Sequence, residues 1–402
     1  MRFCLIGEKL GHSYSAEIHN LSGLDYTLKE VERDKLAEFI GSDEFDGFNV
    51  TIPYKKDIME YLDGVDELAE KIGAVNTVKR VDGKLYGYNT DYYGLNVTLE
   101  QAKIDVKGKR VAILGSGGAK STAKALCQDL GAKEIYIVSR KGQINYTNVY
   151  DLKIDVIINA TPVGMFPSNG VSPIDLKRVK GVTAVVDCIY NPLKTALILQ
   201  AEKLGVKCVG GLMMLVAQAL KAQEIWQGKA CVAERISEVY GNLLSDKRNI
   251  VLIGMPSSGK STVGKLLAEK LNREFIDTDA EIYKRTGNTP AEIIVALGER
   301  AFRDIESRVC YDFGKLSGKV IATGGGSVIR QENRDDFRQN GLVVYLKRDL
   351  DKLSVEGRPL SKSDGIAKLF DERKAIYESF CDLEVDNNGD ISLAVKEILK
   401  RV

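Results

Sequence analysis

The sequence contains no closely spaced cysteine pairs and no long uncharged apolar segment. Its seven cysteines form no CxxC motif, which argues against a disulfide framework or a zinc site and is typical of free thiols in a reducing compartment. The most apolar stretch, residues 211–220, is too short to cross a bilayer. The first residues lack the apolar core of a signal peptide. We therefore expect a cytoplasmic protein that is not inserted in a membrane.

The chain also lacks a charge excess of either sign. It has 57 Lys+Arg and 56 Asp+Glu residues, a formal net charge of +1, so overall charge gives no reason to expect nucleic acid or an anionic membrane as a partner. Its 402 residues exceed what one ordinary hydrophobic core organises. Two or three domains are expected.

Short apolar runs rich in β-branched residues alternate with helical patterns along the whole chain. This alternation predicts α/β domains with parallel sheets. Two of the runs lead directly into glycine-rich turns, at residues 115–119 and 254–262, so we expect two nucleotide-binding units. The main boundary is expected after a helix ending near Tyr240, with a polar linker at 243–248.

The second glycine-rich turn, GMPSSGKS at 254–261, fits the GxxxxGK[ST] pattern. Its glycines allow backbone N–H groups to surround phosphate oxygens at the start of a helix. Lys260 is expected to reach the β- and γ-phosphates of ATP, and Ser261 to ligate Mg²⁺. The phosphate-binding set also includes the following residues: Gly254, Gly259 and Thr262.

Two carboxylates follow in FIDTDAEI. We expect a strand that ends in Asp277-Thr278-Asp279, with both carboxylates on one face. One of these carboxylates would help to hold Mg²⁺, and the other would receive the proton of a substrate hydroxyl. On these residues alone, gluconate-type and nucleoside-monophosphate kinases remain open.

The later motifs FRDIE, TGGGS, GRPL and DERKA complete a resemblance to shikimate kinase over residues 249–402. The resemblance implies that Asp279, Arg303 and Arg373 grip shikimate together with the triple glycine around Gly325. It also implies that Asp277 is the aspartate associated with Mg²⁺, which leaves Asp279 as the catalytic carboxylate, and that Arg358 is a lid arginine that closes on ATP. Arginine suits this role, since its planar fork matches the substrate carboxylate.

The first glycine-rich turn, GSGGA at 115–119, follows the apolar run RVAIL. It departs from the strict GxGxxG pattern but offers a tight turn and a helix start that suit a dinucleotide pyrophosphate. We assign the turn to cofactor binding through Gly115, Gly117, Gly118 and Ala119. The next run ends in Ser139-Arg140-Lys141, where positive charge favours the 2′-phosphate of NADP over NAD.

The first hundred residues add polar clusters between apolar runs: GHSYSAEIHN, NVTIPYK, GAVNT and NTDYYG. These clusters suit a hydroxyl-rich ligand, and Lys55 and Asp91 are the one obvious acid–base pair in them. His12 and His19 are poor catalytic candidates, because they resemble residues at a helix start.

Together these motifs resemble shikimate dehydrogenase over residues 1–242. The resemblance implies that Lys55 and Asp91 are the catalytic pair and that NADPH reduces 3-dehydroshikimate without a metal. It implies substrate contacts from Ser13, Ser15, Thr51, Asn76, Tyr190 and Gln218. On the cofactor side it implies Gly211, Met214 and the segment NATPVGM at 159–165.

One segment departs from that family. Only about a dozen polar residues, 142–154, separate the basic turn from the next apolar run, which is near the minimum for a parallel crossover. Typical members have a helix here with a second basic residue. Relaxed selectivity for NADP over NAD would follow unless Lys141 replaces that charge.

We expect a bifunctional enzyme of aromatic biosynthesis. Residues 1–104, completed by 210–242, would bind substrate, residues 105–209 would form a Rossmann-like domain, and 249–402 would form a P-loop kinase. The alternatives are a quinate/shikimate dehydrogenase of broader use, a regulatory protein that senses quinate or shikimate, and a chain with one active half and one binding module. The predicted catalytic and metal-binding residues are all present, which argues against a sensor. They are Lys55, Asp91, Lys260, Ser261 and Asp277.

Overall fold

In a computed structural model, which describes residues 1–11, 13–353 and 363–402, the chain divides into two compact units. The first unit comprises Met1–Leu243 and the second Leu244–Val402. Each unit has its own hydrophobic core and is described separately below.

The first unit begins with a six-stranded mixed sheet of order β2-β1-β3-β5-β6-β4. Its strands β1, β2 and β3 pair in parallel, and β3, β5 and β6 pair antiparallel. The bounds are β1 Arg2–Gly7, β2 Asp25–Glu30, β3 Gly47–Val50, β4 Gly64–Val65, β5 Thr77–Val81 and β6 Lys84–Tyr88.

The same unit contains a second, wholly parallel sheet of order β11-β10-β9-β7-β8. Val111 and Ile113 of β7 enter the core on one face, and Ala112 and Leu114 enter the core on the other. Burial on both faces explains why this strand reads as an unbroken apolar run. The bounds are β7 Arg110–Leu114, β8 Glu134–Val138, β9 Val156–Asn159, β10 Ala184–Asp187 and β11 Lys207–Val209.

Eight helices accompany these sheets in the chain as described. Their bounds are α1 Ser15–Leu21, α2 Leu36–Gly41, α3 Glu67–Ile72, α4 Asp91–Gln101, α5 Gly118–Asp129, α6 Ala196–Lys203, α7 Leu212–Gln227 and α8 Ala233–Lys247.

Helix α7 returns to the first sheet after the chain has left the second. Trp226 near its end stacks on Phe3 of β1 with ring centroids 4.5 Å apart, and its Nε1–H donates to Val78 O at 2.9 Å. Helices α4 and α7 pack closely at Gly94, where a Cβ would lie 2.5 Å from Met214 O. The segment after residue 210 therefore packs on the N-terminal sheet.

The short connection between β8 and β9 carries a single 3₁₀ turn, at Val149–Asp151. The chain folds back at once, since Ser139 N–H donates to Ile144 O at 3.1 Å. The expectation that residues 142–154 form no ordinary crossover helix is confirmed.

The second unit is built on a parallel sheet of order β13-β14-β12-β15-β16. Its strands are β12 Asn249–Ile253, β13 Phe275–Asp277, β14 Val320–Ala322, β15 Gly341–Lys347 and β16 Leu383–Asp386. Its helices are α9 Lys260–Leu271, α10 Thr278–Thr286, α11 Pro290–Gly314, α12 Gln331–Arg338, α13 Ser363–Phe380 and α14 Ile391–Leu399. Helix α11 is broken at Gly298, which has a left-handed φ of 85°.

Two sequence expectations about helix boundaries are wrong. Helix α8 continues to Lys247 instead of ending near Tyr240, because Ile236, Val239 and Leu243 keep a helical spacing of buried residues into the polar segment. Strand β13 ends at Asp277, and Asp279 lies in the first turn of α10. Because Asp277 caps that helix, the strand ends two residues before the expected end at Asp279.

Across the described residues, every helix is either too short or too polar to serve as a membrane-spanning segment.

A buried carboxylate joins the ends of neighbouring strands in the second sheet of the first unit. Asp187, fully buried at the end of β10, accepts hydrogen bonds from Asn159 Nδ2 at 3.0 Å and Thr195 Oγ1 at 2.6 Å. It also accepts from the backbone of Ile189 at 3.0 Å. Asn159 in turn accepts from Thr161. One side chain thereby fixes the loops that follow β9 and β10.

The burial of Asp187 predicts a pH-dependent stability. Burial raises the pKa of this carboxyl to about 6, although Thr195, Ile189 and Asn159 oppose the rise. The folded state then binds the proton more tightly than the unfolded state, so stability falls as pH rises from about 4 to about 6. Relative to Asp187→Asn, the wild-type protein should lose about 2 kcal/mol of unfolding free energy across that window.

Urea unfolding measured by tryptophan fluorescence checks this prediction for the first unit alone, because Trp226 is the single tryptophan of the chain. A difference between wild type and Asp187→Asn that stays constant from pH 4 to pH 6 would contradict it.

Candidate active sites

Lys55 and Asp91 form an ion pair in the first unit. Lys55 Nζ lies 2.6 Å from Asp91 Oδ2, and the two side chains are 19% and 10% exposed. Lys55 follows β3, and Asp91 is the first residue of α4, where the helix dipole favours a carboxylate. The pair predicted from sequence is therefore in contact and partly shielded from water.

A hydrogen-bonded network surrounds this pair. Asn76 Nδ2 donates to Asp91 Oδ1 at 2.9 Å and lies 3.3 Å from Gln218 Oε1. Thr90 Oγ1, which sequence reasoning did not single out, lies 3.0 Å from Asn76 Nδ2 and 3.3 Å from Gln218 Oε1. The structure thus brings Asn76 into contact with the Asp91 carboxylate and Gln218, which is distant in sequence, into contact with Asn76.

Hydroxyl groups cluster at the start of α1. Ser13 Oγ donates to Ser15 Oγ at 3.1 Å, and the rings of Tyr14 and Tyr190 lie 5.2 Å apart. Burial, and secondarily Tyr14, raise the pKa of Tyr190 to about 12, although a hydrogen bond with Ser13 opposes this. The Tyr190 hydroxyl therefore stays protonated near neutral pH and can donate a hydrogen bond.

Three further predicted site residues lie in or next to the segments that carry Lys55 and Tyr190. They are Thr51, Gly211 and Met214. Thr51 begins the loop that carries Lys55, with its N–H donating to Ile6 O at 2.9 Å. Gly211 N–H donates to Ile189 O at 2.9 Å, beside Tyr190. Met214 is buried in α7.

The glycine-rich turn after β7 fits a dinucleotide. Gly115 has a φ of 122°, and a Cβ there would lie 2.8 Å from Ala160 O, so the turn requires glycine. Gly117, the N-cap residue of α5, has no side chain that could accept from the first N–H groups of the helix. The first N–H groups of α5 can therefore bind a phosphate. A Cβ on Gly118 would lie 3.5 Å from Lys55 Cδ, which places this turn beside the Lys55–Asp91 pair.

The basic turn predicted to select NADP follows β8. Arg140 and Lys141 are exposed, and Ser139 is half-buried. Gly142 N–H donates to Ser139 O at 3.2 Å. The structure therefore leaves both cationic side chains accessible next to the carboxyl end of the strand.

In the second unit, the turn after β12 has the geometry of a phosphate-binding loop. Gly254 and Gly259 have φ values of 142° and 93°, which only glycine adopts easily. Lys260, the first residue of α9, is buried and donates to Gly254 O at 3.0 Å and Met255 O at 2.8 Å. These bonds hold the Lys260 ammonium across the loop. Thr262, two residues further along α9, lines a cavity next to this loop.

The two predicted metal ligands are in direct contact. Ser261 Oγ donates to Asp277 Oδ2 at 2.6 Å, and Asp277 Oδ1 accepts from Asp279 N at 3.1 Å. A hydroxyl and a carboxylate are ligands that suit Mg²⁺. Asp279 points from α10 toward the triple glycine, since a Cβ on Gly324 would lie 2.7 Å from Asp279 Oδ1.

These groups line a cavity of about 590 Å³. Its wall includes the predicted substrate residues Asp279, Arg303, Gly325 and Arg373 as well as the phosphate loop. Arg373 is buried, and its Nε has no hydrogen-bond partner among the residues the structure describes. A buried cation of this kind suits an anionic ligand.

Arg303 is held by two glutamates. Its NH1 lies 2.7 Å from Glu306 Oε2, and its NH2 lies 3.1 Å from Glu299 Oε1. Burial lowers the pKa of Arg303, but Glu306 and Glu299 more than offset this and raise it above its ordinary value. Ser327 Oγ also donates to Glu306 at 2.7 Å.

The triple glycine provides close approach to these groups. A Cβ on Gly326 would overlap the Arg303 guanidinium, and a Cβ on Gly325 would lie 2.6 Å from Pro256. Tyr377 Oη donates to Gly325 O. The glycines therefore let the backbone reach the wall of the cavity.

Sequence reasoning missed Glu306 and Arg348, and Arg358 lies outside the described residues. The spacing of Arg303 and Glu306 on one helix was a usable signal, because residues three apart share a helix face. Arg348, which follows β15 and lines the cavity, had no motif around it.

Two family models match the chain. The shikimate dehydrogenase substrate-binding domain matches residues 5–78, and shikimate kinase matches residues 256–402.

Relatives of known identity agree with the first match. Shikimate dehydrogenase (NADP(+)) of Clostridium beijerinckii is 42% identical over 244 residues, which are 56% of this chain and 90% of the relative. Shikimate dehydrogenase 1 of Peptoclostridium difficile has a TM-score of 0.58 and 39% identity, over 60% of this chain and 98% of its own.

Shikimate 5-dehydrogenase of Thermus thermophilus, solved with NADP(H) and shikimate, has a TM-score of 0.55 and 28% identity, over 60% of this chain and 99% of its own. The chain therefore belongs to the shikimate dehydrogenase family and carries a shikimate kinase domain from residue 256 onward.

Proposed function

We propose that this bifunctional enzyme of the shikimate pathway catalyses two consecutive reactions. Its first unit reduces 3-dehydroshikimate to shikimate with NADPH, and its second unit phosphorylates shikimate at the 3-hydroxyl with ATP and Mg²⁺. The single observation that carries the proposal is that one chain combines both family matches, so that the product of one reaction is the substrate of the other.

In the reductive site the protein positions the carbonyl and handles the proton. NADPH supplies the hydride when bound. Lys55 stabilises the charge that develops on the carbonyl oxygen and donates a proton to it. Asp91, 2.6 Å away, orients the ammonium. Asn76, Gln218 and Thr51 bind ring hydroxyls. Ser13 and Ser15 bind the substrate carboxylate, and Tyr190 lies near the substrate and the nicotinamide.

In the kinase site the protein aligns two reactants. ATP with Mg²⁺ supplies the phosphoryl group. Lys260 would stabilise the charge on the phosphates, and Ser261 and Asp277 would hold the metal ion. Asp279 orients the 3-hydroxyl and accepts its proton, while Arg303 and Arg373 bind the substrate carboxylate.

We also propose a cytoplasmic location. All seven cysteines carry free thiols, which is typical of a reducing compartment.

The two activities should separate by single substitutions. Lys55→Ala should lower kcat for NADPH-dependent reduction by about 10²-fold or more, because it removes the proton donor, and should leave the kinase unchanged. Lys260→Ala should lower kinase turnover by a similar factor of about 10² and leave the reductase unchanged. Separate steady-state assays on each variant check this. Normal reduction by Lys55→Ala would refute the proton-donor role.

The two glutamates that contact Arg303 should differ in importance. Glu306 is 1% exposed and Glu299 is 56% exposed. Glu306→Gln should cost about 3 kcal/mol of stability, because it leaves a buried guanidinium without its charge partner, and should raise KM for shikimate more than KM for ATP. Glu299→Gln should cost less than about 1 kcal/mol.

Calorimetric unfolding and kinase kinetics on both variants measure these effects. Equal effects of the two substitutions on KM for shikimate would contradict the positioning role of Glu306.

A further inference from the structure

A series of buried hydrogen bonds runs from the edge of the first sheet toward the groups around Asp91. Tyr26 lies on β2, Asn49 on β3 and Thr77 at the start of β5. Tyr26 Oη donates to Asn49 Oδ1 at 2.7 Å, and Asn49 Nδ2 donates to Thr77 Oγ1 at 2.9 Å. All three side chains are buried, and the reductive chemistry described above uses none of them.

The first of these bonds crosses a strand, because β1 lies between β2 and β3 in the sheet. Burial, and secondarily Cys4, raise the pKa of Tyr26, so its hydroxyl keeps its proton and acts as a donor. A buried pair of hydrogen-bonded groups adds little stability over an apolar pair of the same shape. The benefit of such a pair is instead the orientation that it imposes on the groups it contacts.

The orientation of the Asn49 amide is fixed by its neighbours. Its Nδ2 also donates to Asn76 O at 3.2 Å, and a backbone carbonyl can only accept. The Asn49 Oδ1 atom therefore faces Tyr26, whose hydroxyl supplies the donor. Reversing this amide would place two acceptors, Asn49 Oδ1 and Asn76 O, against each other.

Thr77 extends the series to Asn76 and Thr90. Its Oγ1 lies 3.2 Å from Asn76 Oδ1 and 3.1 Å from Thr90 Oγ1. Because Thr77 Oγ1 accepts from Asn49, its own proton is directed toward these two oxygens. Asn76 Oδ1 also accepts from Thr90 N at 2.7 Å. The oxygen of the Asn76 amide is thus held on this side, and its Nδ2 faces Asp91 Oδ1 at 2.9 Å.

We propose that Tyr26 and Thr77 are positioning residues of the reductive site, which act through Asn49 to fix the orientation of the Asn76 amide. The inference rests on the proposed reduction of 3-dehydroshikimate by this unit, in which Asn76 binds a ring hydroxyl. Loss of either hydroxyl leaves its neighbour one hydrogen bond short and lets the Asn76 amide rotate. Substrate binding then weakens, whereas cofactor binding is not affected.

The test measures the Michaelis constants of the full chain for 3-dehydroshikimate and for NADPH. Thr77→Val removes the hydroxyl and keeps the branched shape. It should raise KM for 3-dehydroshikimate by about three- to tenfold, as expected for the loss of one hydrogen bond, and should leave KM for NADPH unchanged.

Thr98→Val is the matched control. Thr98 is also a buried threonine of the first unit, but its Oγ1 donates to Gly94 O within α4 at 2.8 Å. This variant loses the same hydroxyl group without touching the series, so both Michaelis constants should stay at their wild-type values.

Three further variants separate positioning from a general loss of stability. Thr77→Ser returns the hydroxyl and should restore most of the wild-type KM. Tyr26→Phe removes only the distant hydroxyl and should raise the same KM. Combining Tyr26→Phe with Thr77→Val should raise it by less than the product of the two single effects, because both act through Asn49.

A purely structural role would lower the fraction of folded enzyme, and therefore the apparent kcat, without changing either Michaelis constant. Urea unfolding followed by the fluorescence of Trp226 reports that fraction for each variant. If Thr77→Val does not fold, Tyr26→Phe and Thr77→Ser decide the matter.

A rise in KM for 3-dehydroshikimate alone, with rescue by serine, supports the positioning role. The role is overturned by an unchanged KM in Thr77→Val and Tyr26→Phe, by an equal rise in Thr98→Val, or by an equal rise in KM for NADPH. Failure of the wild-type chain to reduce 3-dehydroshikimate would instead refute the proposed dehydrogenase function.

Discussion

Parallel strand pairing is the constraint on which both catalytic units depend. In a parallel sheet every strand ends at the same edge, so residues far apart in sequence meet there. The kinase sheet has the order β13-β14-β12-β15. This order brings Asp277, the triple glycine, the phosphate loop and Arg348 to one cavity. In the first unit β7, β9 and β10 present the glycine-rich turn, Thr161 and Tyr190 in the same way. The sheet order thus decides which loops share a site.

Shielded charges then fix the side chains at those edges. Arg303 and Glu306 are 9% and 1% exposed, and Asp187 is fully buried with donors from three directions. Taking such groups out of water costs free energy, and only well-aligned partners offset that cost. The benefit is a fixed side-chain position, because a paired and buried side chain has one conformation available. Lys55 and Asp91 follow the same rule less strictly, since both side chains remain partly exposed to solvent.

Much of this arrangement could be predicted from the residues. Runs such as RVAIL and NIVLI are buried on both faces, which makes them readable as strands, and a glycine-rich turn after such a run has few alternative structures. Lys55 and Asp91 were identifiable because each lies in a distinctive polar cluster. Asp279 was placed on a strand in error, because the capping of α10 by Asp277 depends on a local competition that composition does not reveal. Glu306 ends the FRDIE motif three residues after Arg303, so its pairing was readable from helical spacing. Arg348 has no motif around it, so its place in the cavity becomes visible only when the fold supplies its neighbours.

The central claim is that one chain performs two successive reactions on the same carbon skeleton. The most direct measurement supplies the purified chain with 3-dehydroshikimate, NADPH, ATP and Mg²⁺ and identifies the products by mass spectrometry over time. The account predicts shikimate 3-phosphate, with NADPH and ATP consumed in equal amounts once shikimate reaches a steady level. Accumulation of shikimate without its phosphate, or ATP consumption only when shikimate is added from outside, would contradict it.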